Sequence, residues 1–206
     1  AQIELSQKHQ TIHITVPARP WRLEIDPEFD VFRRLAPGEL PPTLSAALGA
    51  DSLLMILPSE ASAEARIAYQ RLAQTWAESD AGIEIRWDKD LPQLPTHRPV
   101  WLLGWENRFI DQVGGGVGAQ LSLTNDSAVL AGQTLRRQDR AVIISAHRKG
   151  AILVWLGCDN PAAIPGLARK LPHYGSYSYL AFQGDGPTNT LKGQWNVLNS
   201  PLRVRS

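Results

Sequence analysis

The sequence predicts an α/β protein: an open, mixed β-sheet flanked by helices, preceded by a few β-strands left from an upstream β-sandwich. Three patterns support this prediction. Continuous apolar runs at residues 53–57, 99–104 and 151–156 are typical of strands buried on both faces. Between the first two runs, residues 61–76 are apolar at every third or fourth position, as in a helix with one buried face. Residues 11–25 instead alternate polar and apolar, which indicates half-buried strands.

The composition narrows the protein class. A chain of 206 residues with 43% hydrophobic and 20% charged residues is ordinary for a globular protein and argues against disorder. The net charge is +1 and the basic residues are scattered, so we expect no nucleic-acid binding. No apolar run approaches the ~20 residues needed to span a bilayer. Cys158 is the only cysteine, which excludes an internal disulfide and leaves the compartment undecided between cytoplasmic and extracytoplasmic.

The first predicted segment is residues 1–25. Thr11–Val16 and Trp21–Ile25 both read as strands, and two or three strands cannot bury enough apolar surface to be stable alone. We therefore expect residues 1–25 to be the terminal strands of a truncated β-sandwich whose other strands lie upstream of Ala1. The chain begins without an initiator methionine, which fits a segment cut from a larger protein.

Residues 26–50 form the second predicted segment, a packed connector rich in proline. Its prolines allow only short helical turns, one of them opened by Pro41-Pro42 and ended by Gly49. Two phenylalanines, Phe29 and Phe32, indicate that the connector packs against a domain. Together with Trp21, these phenylalanines are the predicted interface residues.

Residues 51–206 form the predicted α/β domain. Ser59 or Ser62 can cap the first helix, and a second helix is predicted over residues 161–171. The stretch LPHYGSYSYLAFQGD then stops that helix and begins the last strand. The strands predicted besides the three apolar runs cover residues 83–87, 119–124, 128–135, 141–147 and 177–182.

The candidate ligand site lies in two similar stretches, VWLLGWEN (residues 100–107) and LVWLGCDN (residues 153–160). Each has an apolar strand, a glycine for a tight turn, then an acid and an asparagine that can cap a helix. Open α/β sheets bind ligands at the carboxyl ends of their strands. The alternative is that both stretches are simply strand-to-helix turns. The candidate ligand-binding residues are Glu106, Asn107, Cys158, Asp159 and Asn160.

Cys158 is also the one candidate nucleophile. A helix N-terminus would lower the pKa of its thiol, and His147 or His173 could act as the base. The sequence brings neither histidine close, so a packing role is the alternative. There is no G-x-S-x-G motif, and no catalytic residue is assigned in this segment.

The histidines do not predict a metal site. Only His9 and His13 have i, i+4 spacing, and in a strand these positions lie about 13 Å apart.

The glycine-rich stretch 114–118 does not predict a phosphate site either. It follows a predicted helix, precedes a strand and lacks the lysine of a phosphate-binding loop, so we expect a helix cap and flexible loop.

Three stretches together resemble a known family: WRLEIDPEFDVFRRLAPGELPPTLSAALGA, CDNPAAIPGLARKLPHYGSYSYLAFQGDGPTNTLKGQW and the terminal NSPLRV. They are similar to the carboxyl-terminal, non-catalytic region of bacterial aminopeptidase N-like zinc metallopeptidases of the gluzincin type. The resemblance covers nearly the whole chain, most densely at its two ends. It implies an α/β domain that follows a β-sandwich and is not the peptidase domain.

The resemblance carries over no catalytic residue. The family's H-E-x-x-H helix and Gly-x-Met-Glu-Asn strand are absent here, and Met55 is the only methionine. The implied function is that of an accessory domain, structural or interacting, whose partners are the upstream domains of the same polypeptide. Zinc would be bound elsewhere in the parent enzyme, and no cofactor is expected in this segment. The alternative is an α/β module that binds a small molecule or peptide through the turns at Gly104 and Gly157.

Overall fold

The structure is a computed structural model that describes residues 4, 7–27, 30–36, 39–117, 120–196 and 200–205. The chain divides into two compact units. Unit 1 consists of residues 1–39 and 198–206, and unit 2 of residues 40–197. The residues of the predicted connector, 26–50, are shared between the two units.

Unit 2 contains three α-helices within the described residues: α1 (Leu44–Leu48), α2 (Ala63–Ser79) and α3 (Ile164–Lys170). Its strands are β2 (Leu53–Leu57), β3 (Ile83–Trp87), β4 (Val100–Leu103), β5 (Leu121–Leu123), β6 (Ser127–Leu130), β7 (Gln133–Arg136), β8 (Ala141–Arg148), β9 (Ala151–Gly157), β10 (Tyr179–Gln183) and β11 (Thr188–Gly193). Unit 1 contributes β1 (Arg22–Glu24) and β12 (Arg203–Arg205).

Seven strands of unit 2 form one mixed sheet in the order β11-β10-β8-β9-β4-β2-β3. Strands β3, β2, β4 and β9 are parallel, whereas β8, β10 and β11 add an antiparallel half. The predicted open, mixed α/β sheet is therefore confirmed. The chain leaves β2 for β3 on one side and later returns to place β4 on the other side, so the direction of winding reverses between β2 and β4.

The two faces of this sheet are covered differently. Alternate residues of β2 point into two separate apolar clusters, Met55 into one and Ile56 into the other. The first cluster includes the buried sides of all three helices. The second is completed by a small antiparallel sheet, β5-β6-β7, together with the short helical turns around residues 109–117. The helices described here thus lie on one face of the sheet.

Several local predictions hold. Gly49 ends α1, and the hydroxyl of Ser62 caps α2 by accepting from Ala65 N at 3.2 Å. Asn160 caps the helical turn 161–163 that leads into α3, because its Oδ1 accepts from Ala162 N at 3.1 Å. A carboxamide or hydroxyl oxygen satisfies N–H groups that have no partner inside the helix.

Other local predictions are wrong. The strand predicted over residues 128–135 is a hairpin of β6 and β7, because Ala131 (φ 49°) and Gly132 (φ 73°) both adopt the left-handed conformation of a tight two-residue turn. The strand predicted to be last, β10, is followed by β11, which pairs with it antiparallel. No α-helix follows β4 at Asn107, where the chain makes short turns instead.

Unit 1 is built around the antiparallel pair β1 and β12, with Leu23 opposite Val204. The predicted strand Trp21–Ile25 is thus confirmed in its centre, and its partner comes from the other end of the chain. The strand predicted over residues 11–16 is wrong, since those residues pair with no described strand and Ile12 and Ile14 are exposed. Alternation suits a strand, but hydrogen bonds to a neighbour define one.

A polar network connects the rest of unit 1. The guanidinium of Arg33 donates to Asp26 at 2.9 Å and to both carboxylate oxygens of Glu39 at 2.8 and 3.0 Å. Ser200 donates to Glu39 Oε1 at 2.6 Å. These bonds lower the pKa of Glu39 from 4.5 to about 2, and the bond from Arg33 has the largest effect.

Among the described residues, none of the helices combines the length and apolar character needed to cross a membrane.

Candidate functional site

The two similar stretches of the sequence lie side by side in the structure. Strands β4 and β9 are parallel neighbours, with Leu103 opposite Leu156, and Gly104 N donates to Leu156 O at 2.8 Å. Residues 104–107 and 157–160 therefore form two adjacent turns at the carboxyl edge of the sheet, here called the crest.

The two glycines of the crest serve different purposes. Gly104 has φ +86°, a conformation that disfavours side chains, and an added Cβ would lie 2.7 Å from Pro58 Cγ. Gly157 has no such φ. A Cβ there would collide with the Trp155 ring and lie 2.8 Å from Trp105 Nε1, so Gly157 is needed for close packing. The prediction of a tight turn is confirmed at Gly104 only.

The crest acids are joined by an arginine that the sequence did not single out. Arg137, which follows β7, donates from Nε to Asp159 Oδ2 at 2.5 Å and from a terminal nitrogen to Glu106 Oε1. Its guanidinium carbon lies 5.6 Å from the centre of the Trp105 ring. Partial burial opposes the charge, but the bonds to Asp159 and Glu106 outweigh it and raise the pKa of Arg137.

The side chain of Asn107 is bound to the backbone of its own chain. It is buried, and its Nδ2 donates to Ile56 O at 3.0 Å and to Leu103 O at 3.2 Å, while its Oδ1 accepts from Phe109 N at 3.2 Å. The side chain therefore joins the ends of β2 and β4, the two strands between which the winding reverses. Doubly wound sheets bind ligands in this crevice, and here an asparagine of the chain itself occupies it.

A second buried group, Asp88, reinforces the same crevice. Its carboxylate accepts from Ser59 N at 3.0 Å and from Arg108 N at 3.1 Å, so it joins the turns that follow β2 and β4. Asp88 is fully buried. Sequence reasoning missed it, and the only available signal was an acid placed directly after the strand Ile83–Trp87.

Cys158 is enclosed. Its Sγ donates to Asn160 O at 3.3 Å, its N–H donates to Tyr69 Oη at 2.9 Å, and Tyr69 Oη donates in turn to Cys158 O at 2.9 Å. Burial raises the pKa of the thiol to about 11. The lowering of the pKa expected from a helix N-terminus is therefore reversed, and the thiol stays protonated at neutral pH.

Neither candidate base lies near Cys158. In the β8–β9 ladder Val142 is opposite Gly157, and His147 is opposite Ile152, five residues further along. At about 3.4 Å per residue, this separates His147 from the crest by about 17 Å. His173 follows the end of α3, a helix that begins at the crest and leads away from it. The Cys–His pair considered from sequence is not assembled.

Two clefts flank Arg137. One, of about 260 Å³, lies between the turn that follows β7 and the ends of β9 and β10, and Arg140, Cys158 and Phe182 line it. The other, of about 300 Å³, is lined by Trp105, Asp111 and Asn125. Asp159 and Asn160 line the first cleft, where Asn160 Nδ2 also donates to Asp185 Oδ1 at 2.7 Å.

The predicted interface residues belong to unit 1, whereas the crest belongs to unit 2. Trp21 is 67% exposed and Phe32 is fully exposed. Phe29 lies outside the described residues.

The structure brings all five predicted ligand-binding residues together at the crest, where Arg137 joins them. Within the described residues, no three His, Cys, Asp or Glu side chains cluster in a way that could hold a metal ion.

A scan against protein-family models gives no match, and a search among curated proteins gives none either.

Proposed function

We propose that this chain is a non-catalytic accessory module, structural or interacting, of a larger aminopeptidase N-like metallopeptidase. In this proposal unit 1 docks onto upstream domains of the same polypeptide, which would carry the zinc. One observation carries the docking: the described residues of unit 1 expose nine large apolar side chains. They are Ile12, Ile14, Val16, Trp21, Leu23, Ile25, Val31, Phe32 and Val204.

The spacing of these side chains supports a β-rich partner. Ile12, Ile14 and Val16 recur at every second position, and Trp21, Leu23 and Ile25 do the same. In a β-strand alternate residues share one face, so the second set, centred on β1, presents an apolar stripe, and the first set would present another once paired with a partner strand. Soluble proteins rarely leave large apolar patches uncovered, and a neighbouring strand or sheet with its own apolar face would cover these stripes.

The state of the crest supports a non-catalytic role. Its two carboxylates are bound to Arg137, and its only thiol is buried with a raised pKa. General acid–base or nucleophilic catalysis needs a group that can exchange a proton with substrate or attack it. In this arrangement Glu106 and Asp159 are each bound to Arg137, and Cys158 is held as a buried thiol.

The test compares the 206-residue chain with the longer polypeptide that the proposal requires. Hydroxyl-radical footprinting followed by mass spectrometry measures the oxidation of Trp21 and Phe32 in both. We expect their oxidation to fall several-fold in the longer polypeptide, while Val129, 37% exposed in unit 2, reacts equally in both. Equal oxidation of Trp21 and Phe32 would refute the docking. An upstream sequence without H-E-x-x-H would refute the peptidase assignment separately.

A second candidate function is small-ligand binding at the crest, favoured by the 260 Å³ cleft beside Arg140. This arginine is half-buried, and the only hydrogen bond of its guanidinium within the described residues goes to the Asp139 carbonyl at 3.3 Å. With Phe182 in the cleft wall, the arrangement suits a carboxylate with a short apolar body. Titration with hexanoate should shift the amide NMR signal of Gly184 in the native chain and not in Arg140→Gln. Hexylamine serves as the control ligand, and equal shifts with both would count against this candidate.

A further inference from the structure

Helix α2 carries an exposed stripe that its own unit does not cover. Glu64, Ile67 and Arg71 are spaced i, i+3 and i+7, so they lie along one side of the helix. All three are exposed, and Ile67 retains 52% of its accessible surface. The stripe therefore has an exposed apolar side chain, Ile67, at its centre, an acid at one end and a base at the other.

Beside this stripe runs an apolar groove of about 770 Å³ between α2 and α3. The two helices run in the same direction, since each follows a parallel strand of the sheet, and Trp76 Nε1 donates to Ala168 O at 3.0 Å to hold them together. The groove stays open because four of the residues that line it are small. These are Ala68, Ala162, Pro165 and Ala168.

The charges along the groove are divided between its two ends. Glu64 lies near the beginning of α2, at the end where Pro161 and Ala162 also line the groove. Arg71 and Arg169 lie toward the other end, near the contact between Trp76 and Ala168. Within the described part of the chain, none of these three forms an ion pair. The midpoint between Glu64 and Arg71 falls at Ile67 and Ala68.

We propose that the occupant of this groove is a second copy of the chain, related by a two-fold axis that passes near Ile67 and Ala68. Two-fold interfaces use the same patch on both subunits, so the patch must be complementary to itself. The groove and its charged ends meet this requirement. When two α2 helices cross antiparallel, Glu64 of each copy lies beside Arg71 and Arg169 of the other. Ile67 of each copy enters the groove of the other above its small residues.

This inference is independent of the proposed docking through unit 1, because it uses only residues of unit 2. A partner of another kind would need its own matching charges, whereas a second copy supplies them by symmetry. The interface is small and centred on one side chain per copy, which fits a weak, reversible dimer with salt-dependent affinity.

Sedimentation velocity over a concentration series tests the proposal. We expect concentration-dependent dimerisation of the native chain and at least a tenfold weaker dimer for Ile67→Asp, because a carboxylate cannot be buried there without a partner. Val129→Asp is the matched control, a similar change at an exposed apolar residue of unit 2. Phe32→Asp controls for association through unit 1. A native chain that stays monomeric at all concentrations, or a dimer that Ile67→Asp leaves unchanged, would overturn the proposal.

Charge reversal then identifies the geometry. Glu64→Arg and Arg71→Glu each turn attractive contacts into repulsive ones at both ends of a two-fold interface, so each should weaken the dimer by roughly tenfold at low salt. The variant carrying both changes restores opposite charges and should recover most of the native affinity. Circular dichroism confirms that each variant is folded. If the double variant is as weak as the sum of the two single ones, antiparallel pairing of α2 is refuted.

Discussion

Units 1 and 2 of this chain are stabilised in opposite ways. Unit 2 encloses two apolar clusters, one on each face of its seven-stranded sheet, and its largest side chains, such as Trp101 and Trp155, are fully buried. Unit 1 relies on one short strand pair and a polar network around Arg33, and its aromatic side chains Trp21 and Phe32 are exposed. Apolar burial is the dominant favourable term in folding. Unit 2 therefore buries enough apolar surface to fold by itself, whereas unit 1 leaves its large apolar side chains exposed.

The largest expected contrast comes from removing one indole in each unit. Trp155→Ala deletes a fully buried ring whose Nε1 donates to Gly104 O at 2.9 Å and which packs edge-to-face with Trp105. We expect it to lower the free energy of unfolding by about 3–5 kcal/mol in urea titrations. Its matched control is Trp21→Ala, at a ring 67% exposed, which should change stability by no more than about 0.5 kcal/mol. Similar losses for both would contradict the contrast between the units.

A smaller effect is expected at the crest. Arg137→Met leaves Glu106 and Asp159 as neighbouring carboxylates without their shared partner, and the chain should lose about 1 kcal/mol of stability, since these groups are partly solvated. The loss should shrink in high salt, which screens the repulsion. Adding Glu106→Gln and Asp159→Asn to the same variant should restore most of the lost stability. A loss that persists in the triple variant would mean that Arg137 acts through packing instead of charge.

The smallest and most local effect concerns unit 1 at acid pH. The pKa of Glu39 is about 2 in the folded state, below its ordinary value of 4.5, because Arg33, Ser200 and the Ala36 N–H bind the carboxylate. A carboxylate with a lowered pKa stabilises the fold fully above pH 4.5, and that contribution disappears as the pH falls toward 2. The protection factors of the β1 amides, measured against their intrinsic exchange rates at each pH, should therefore fall over this interval in the native chain.

Glu39→Gln should show lower protection factors at β1 at neutral pH and a smaller further fall on acidification. The remaining fall comes from Asp26, whose pKa is also lowered, because the effect of burial is outweighed by bonds from Val31 N and Arg33. Glu84→Gln is the control, because Glu84 also has a lowered pKa, caused by Arg86 and Arg98, but lies in unit 2. Identical pH profiles for the native chain and Glu39→Gln would show that the network around Arg33 does not hold the β1–β12 pair.

The sequence predicted those parts of the fold that local pattern determines. Continuous apolar runs located β2, β4 and β9, because strands buried on both faces need apolar residues throughout. Strand β11, at the edge of the seven-stranded sheet, has the sequence TNTLKG, in which only Leu191 is a large apolar residue, so its hydrophobic pattern is too weak to indicate a strand. Residues 11–16 show the reverse: a strong alternation without a partner strand among the described residues.

The candidate site was predictable to the same degree. Glu106 and Asp159 were found because their stretches repeat one local pattern, and parallel neighbouring strands bring equal positions together. Arg137 and Asp88 were missed because their roles depend on partners that lie 20 to 31 residues away along the chain. No local pattern marks an arginine in a turn as the partner of two acids on other strands.

The contact between Trp105 and Trp155 has an optical consequence. Their ring centres are 4.6 Å apart and their planes are nearly perpendicular, at 86°. Two indole chromophores so close, and held in a fixed chiral arrangement, couple their electronic transitions and should produce a pair of circular dichroism bands of opposite sign in the far ultraviolet. The pair Trp76 and Trp101 has a similar geometry, 4.9 Å and 89°, so the part of the signal that Trp105→Phe removes is the part that belongs to the crest. Because Trp105 also lies against Arg137, that part reports on the two turns without an added label.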